Sequence, residues 1–146
     1  GYLRRSVKAD AKEAEARLRL TNVLLELNDL EDVPGLLNDY NWTTEGPAFE
    51  YLARLFEGAL HERRGNRPAA AAAYDRAIGL VPLPQTAQVA RAHLAYLEGE
   101  RPQAAAILAP ALASRSDRTD PWWPYLRGQA WRFDGYRKIA RSMVMR

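Results

Sequence analysis

The stretch from Gly65 opens Gly-Asn-Arg-Pro-Ala-Ala, and an echo of it, Gly-Glu-Arg-Pro-Gln-Ala, opens at Gly99. Gly65 and Gly99, Pro68 and Pro102, Ala70 and Ala104, and Ala77 and Ala111 are each separated by 34 residues. A unit repeated at that interval reads as a helix-turn-helix element that cannot bury its apolar face alone and must stack on its neighbours. The period therefore predicts an all-α chain of antiparallel helix pairs, with seven or eight helices and no strand.

Reading outward from the repeat, the first nine residues carry Arg4, Arg5 and Lys8 without a clear period, and we expect a frayed lead-in. From about Asp10, Ala11, Ala14, Leu18, Leu20, Thr21, Leu24, Leu25 and Leu27 recur at helical spacing. Glu13 with Arg17 and Glu15 with Arg19 form i,i+4 pairs in the favourable direction. Asn28 and Asp29 close this helix. The next carries Pro34-Gly35 and should be short or kinked, because proline removes a backbone donor and crowds the preceding turn. A loop then runs to Pro47, with Thr44 or Gly46 as cap. Long helices follow from Pro47 to about Arg64, Arg67 to Leu80, Pro84 to Glu98 and Arg101 to Ala113. After the polar linker 114–119, Asp120-Pro121 reads as an N-cap with proline at the first helical position. The expected pairs are 14–40, 47–80, 84–113 and 121–145.

These residues resemble the tetratricopeptide repeat (TPR). In the unit 51–84, Gly58, Gly65, Ala70, Tyr74, Ala77 and Pro82 fall where that family places its small, turn, small, aromatic, small and proline residues. The unit 85–118 supplies Ala92, Gly99, Ala104, Leu108 and Ala111, and departs at Ser116, where proline is usual. Residues 14–47 look like a divergent first unit with Leu20, Leu24, Asn28 and Leu37 in register, and 121–146 like a partial fourth. The resemblance implies a single TPR-like domain, a right-handed superhelix over residues 1–146, and a role in protein binding.

Chemistry finds little footing in this sequence. There is no cysteine, so disulfides, thiolate metal sites and cysteine nucleophiles are excluded. His61 and His93 are the only histidines and have no carboxylate at ligand spacing, so no metal site is expected. Serines lie in linkers and termini without a nucleophile elbow, and no glycine-rich phosphate loop occurs. We expect no enzyme and no cofactor. No run of apolar residues is long enough for a membrane span.

The function expected is a non-catalytic scaffold or adaptor that binds a protein segment along its inner groove. Carried over from the family, the groove positions are Glu15, Leu18, Asn22, Leu25 and Glu26; Leu52, Leu55, Ala59, Glu62 and Arg63; Thr86, Val89, His93, Tyr96 and Leu97; and Trp122, Tyr125, Gln129, Arg132 and Phe133. Asn22, Arg63, His93, Tyr96, Trp122, Tyr125, Gln129 and Arg132 are the candidate partner-binding residues. Leu18 stands where carboxylate-clamping members carry lysine, so that clamp is not expected. Most of the aromatic cluster Trp122, Trp123, Tyr125, Trp131 and Phe133 reads as the cap of the last unit's core, and the rest as stacking or peptide-anchoring surface.

The alternative function is RNA binding. Residues 127–146 hold Arg127, Arg132, Arg137, Lys138, Arg141 and Arg146 against Asp134, interleaved with aromatics, within a net charge of +3. Self-association through exposed repeat ends is a further expectation. The start at glycine rather than methionine, together with the short array, suggests a processed, extracytoplasmic adaptor of bacterial type.

Overall fold

A computed structural model describes residues 2–113, 120–122 and 125, with side chains from residue 12 onward. The described residues form six α-helices and no strand: α1 (Tyr2–Glu26), α2 (Val33–Asn38), α3 (Pro47–Arg63), α4 (Arg67–Ile78), α5 (Gln85–Leu97) and α6 (Arg101–Ala113), with a single 3-10 turn at Trp42–Glu45. The helices pack as successive pairs, α1 on α2, α3 on α4 and α5 on α6, while α1 also meets α3 and α4 meets α5. The expected fourth pair lies outside the described residues, apart from its opening at 120–122 and 125.

Each first helix ends in the same way. Gly65 and Gly99 take φ of 72° and 81°, and Asn28 takes 56°. The N–H of Gly65 donates to the Glu62 carbonyl at 3.0 Å and that of Asn66 to His61 at 2.8 Å; Gly99 and Glu100 repeat this on Tyr96 and Ala95 at 3.0 and 2.9 Å. Asn28 and Asp29 do the same on Leu25 and Leu24 at 3.1 and 2.9 Å. The left-handed residue satisfies the last carbonyls of one helix and turns the chain back along it. Pro68 and Pro102 then sit in the first turn of α4 and α6, where a missing N–H costs nothing.

Two expectations about the first pair need correction. Residues 2–9 are part of α1 rather than a lead-in before it. The inward stripe of α1 is Ala14, Leu18, Thr21 and Leu25, all buried, whereas Leu20 and Leu27 are exposed, Leu27 by 70%. Thr21 enters the core because its hydroxyl donates to the Arg17 carbonyl at 2.7 Å, so no polar atom is left without a partner. The Glu13–Arg17 and Glu15–Arg19 pairs both form. Helix α2 has six residues, short as Pro34 requires. The loop after it is anchored by Trp42, which is buried and donates its indole N–H to the Leu37 carbonyl at 2.8 Å.

The main core runs through α1 to α5 and contains Leu18, Val33, Trp42, Tyr51, Phe56, Leu60, Ala70, Tyr74, Ala77 and Leu94. Burying such side chains contributes roughly 1.5–3 kcal/mol for each large one. A second, smaller cluster, Ala92, Ala95 and Ala104 with Ile107 and Leu108, joins α5 to α6. Its small residues let those two helices approach closely.

Candidate partner-binding cleft

α1 packs on α3, and residues of α1, α3 and α5 come together around one concavity. Between them lies a cleft of about 280 Å³. Asn22, Leu25 and Glu26 of α1 form one wall, and Leu55, Phe56, Ala59 and Arg63 of α3 form the floor. Thr86 and Ala90 of α5, Tyr74 of α4 and Trp122 complete it. The lining combines the apolar Leu25, Leu55, Phe56, Ala59, Ala90 and Trp122 with the polar Asn22, Glu26, Arg63 and Thr86, the pattern of a site that takes an apolar side chain and orients it by a few polar groups.

Three of the candidate residues, Asn22, Arg63 and Trp122, are gathered here from separate elements. Tyr125 adjoins them, its ring 5.7 Å from that of Trp122 and 5.8 Å from that of Phe56. His93 and Tyr96 lie on α5 outside the cleft. Tyr96 is 54% exposed and has the Arg101 guanidinium 5.6 Å above its ring. Gln129 and Arg132 fall outside the described residues. Of the other groove positions, Leu18 and Leu52 are buried core residues outside the cleft lining, whereas Leu55, also buried, contributes to the cleft itself.

The floor of the cleft is held by two buried phenols. Tyr74 donates its hydroxyl to Glu62, and its ring packs beneath α3. Burial raises its pKa well above the ordinary tyrosine value, with the hydrogen bond and charge of Glu62 adding and the charge of Arg63 opposing. Tyr51, at the start of α3, donates to Oδ2 of Asp120 at 2.8 Å and accepts the Ala87 N–H at 3.2 Å. Burial raises its pKa too, followed by the hydrogen bond and charge of Asp120, while the N–H of Ala87 opposes.

Asp120 is the residue that sequence reasoning undervalued. Its Oδ1 accepts the Trp122 N–H at 2.8 Å, the local capping contact expected of Asp120-Pro121. Fully buried, it also accepts the Thr86 N–H on Oδ2 at 2.7 Å and so serves the start of α5. A carboxylate at a helix N-terminus meets both unpaired donors and the positive end of the helix dipole. The Asp-Pro dipeptide signalled the local cap; no local pattern signalled Tyr51 or Thr86 as its distant partners. Phe56, whose ring lies 5.8 Å from that of Trp122, is at once a buried core residue and part of the cleft floor.

Among the described residues, no group of three histidine, cysteine or carboxylate side chains is placed to hold a metal, and no helix is long and apolar enough to cross a membrane. Compared with protein-family models, with curated proteins and with solved structures, the chain matches none.

Proposed function

We propose that this chain is a non-catalytic scaffold with a TPR-like superhelical arrangement, and that it binds a peptide or protein segment in the cleft between α1, α3 and α5. The observation that carries the reading is the convergence of Asn22, Arg63 and Trp122 from distant parts of the sequence onto one partly apolar concavity. Apolar anchors in a groove supply most of the energy in such complexes, while marginal polar groups set register.

Substituting Ala59→Arg, at a half-buried position of α3 that lines the cleft, would fill the cleft from its floor. Partner capture, followed by titration calorimetry on the captured segment, should be abolished by Ala59→Arg and weakened by Arg63→Ala. Tyr96→Ala, which lies outside the cleft, should leave it unchanged. A partner that binds Ala59→Arg as tightly as the parent, with the helical spectrum intact, would move the site elsewhere. If instead the bound species is RNA, affinity will fall steeply with salt.

A further inference from the structure

The outward side of α1 carries apolar side chains that the core does not use. Leu20 and Val23 are each 48% exposed and Leu27 is 70% exposed, while Ala14, Leu18, Thr21 and Leu25 on the core side are buried. With Leu24 they recur at three- and four-residue spacing and so make a single strip along the helix. Where α2 packs against α1, this strip becomes one wall of a groove of about 630 Å³, lined by Ala16, Leu20 and Leu24 of α1 and by Gly35 and Leu36 of α2. No residue of its lining belongs to the cleft between α1, α3 and α5.

The charged side chains of the groove are Glu13, Arg17, Asp32 and Asp39. Arg17 is already engaged. Its Nε and one terminal nitrogen donate to Oε1 of Glu13 at 3.2 and 3.1 Å, its other terminal nitrogen donates to the Leu36 carbonyl at 3.1 Å, and its guanidinium lies 5.2 Å from the Tyr40 ring centroid. It ties α2 to α1 and is balanced by Glu13, which leaves the two aspartates. Both are exposed and, among the described residues, neither forms an ion pair. Asp32 stands at the N-cap of α2 and yet makes no side-chain capping bond. The surrounding sequence has the same bias: from Leu20 to Ala53 there are seven carboxylates and no Lys, Arg or His, so all 21 Lys and Arg lie elsewhere in the chain.

We propose that the groove between α1 and α2 is a second docking site, and that its occupant is a basic amphipathic helix of a partner protein. An apolar row on that helix lies against Leu20, Leu24 and Leu36, and Lys or Arg beside the row meets Asp32 and Asp39. The groove is walled by the side chains of two helices and offers no sheet edge. A helical ligand satisfies its own backbone groups, whereas an extended one leaves them unpaired against leucine. Because the two concavities share no lining residue, the chain can hold a different segment in each.

The probe is a labelled synthetic helix of about 18 residues, leucine on one face and lysine on the others, added to the full chain and followed by fluorescence anisotropy. A counterpart with glutamate in place of lysine is the control. The lysine helix should bind the parent and the glutamate helix should not. Leu20→Gln, at an exposed position, should weaken binding about tenfold. Asp32→Lys combined with Asp39→Lys should weaken it at least as much and flatten its salt dependence. Ala59→Arg, in the other cleft, should leave it unchanged. Full-strength binding to either groove variant, loss of binding on Ala59→Arg, equal binding of both helices, or no binding to the parent at low salt would overturn the proposal, each with the helical spectrum intact. Sedimentation in which the parent dimerises and Leu20→Gln does not would overturn it too, because a second copy would then be the occupant.

Discussion

Gly58 on α3 lies directly over the Tyr74 ring on α4: a Cβ built on Gly58 would stand 2.2 Å from Cε1 of Tyr74. The ring has little room to retreat, since it is buried and its hydroxyl is tied to Glu62. Thirty-four residues on, the same two places hold Ala92 and Leu108. One pair of helices thus uses no side chain against an aromatic ring, and the next uses a methyl group against a leucine.

Gly58→Ala therefore sets two effects against each other. Helix propensity gains about 1 kcal/mol, while overpacking of a closed core costs about 1–3 kcal/mol. With the ring anchored, overpacking should win, giving a net loss of up to about 2 kcal/mol by urea denaturation. Adding Tyr74→Leu should restore part of it, because the double variant reproduces the Ala92–Leu108 arrangement. Additive losses would show that the two sites do not share their packing.

Asp120 and its partners make a second prediction. Asp120→Ala leaves the Thr86 and Trp122 N–H groups and the Tyr51 hydroxyl without their acceptor, and should cost about 2–4 kcal/mol. Asp120→Asn keeps one acceptor oxygen and should fall between the parent and Asp120→Ala. Chemical denaturation of the three proteins reads the order directly. An Asn variant as damaged as Ala would mean that charge, not hydrogen-bond geometry, governs the site.

Alkaline stability follows from the two raised phenols. Tyr51 and Tyr74 stay protonated in the folded chain above the pH at which they ionise when unfolded, near their ordinary value of 10.0. The unfolded state then loses protons that the folded state keeps, so their contribution is complete below about pH 10 and declines above it. Each tyrosine should steepen the loss by about 1.4 kcal/mol per pH unit. Unfolding curves at pH 9, 10 and 11 should show a shallower alkaline decline for Tyr51→Phe and Tyr74→Phe than for the parent. Identical slopes would mean that these phenols ionise in the folded protein.

The three left-handed turns differ in how well their residues suit them. Gly65→Ala and Gly99→Ala should each cost about 1–2 kcal/mol, because the side chain is placed against the following carbonyl at positive φ. Asn28→Gly should change stability by less than that and in the stabilising direction, since asparagine tolerates the conformation and glycine favours it. Thermal melts of the three variants decide the matter. A stabilising Gly99→Ala would show that the turn has another conformation available.

How much of this could be read from the sequence depends on how local each signal is. Gly65, Gly99, Pro68 and Pro102 announce turns and first helical residues through their own backbone preferences, and the helices α3 to α6 fall where those residues predict. Asn28 lies in the same register, although 37 residues separate it from Gly65 where 34 separate Gly65 from Gly99. The extra residues fall around the Trp42 turn, which no periodicity announces because the indole is held by burial in the core, by Tyr40 and by its hydrogen bond to the Leu37 carbonyl. The cleft was legible only in part. Asn22 and Arg63 were expected from the groove positions of the family the sequence resembles, but the seating of Trp122 on Phe56 is set by tertiary contact, which an Asp-Pro cap does not announce.

The bond between Tyr51 and Asp120 spans 69 residues, nearly half the chain, in a fold whose helix pairs otherwise close over short distances. Local pairs form early on the folding path, because little chain entropy is lost in closing them. A link across so much sequence forms late, after α3 and α5 are already in place to receive the carboxylate. Its loss should then leave the refolding rate nearly unchanged and appear as faster unfolding. Asp120 therefore acts as a latch on the lifetime of the folded state, determining how long the assembled helices stay together rather than how quickly they find one another.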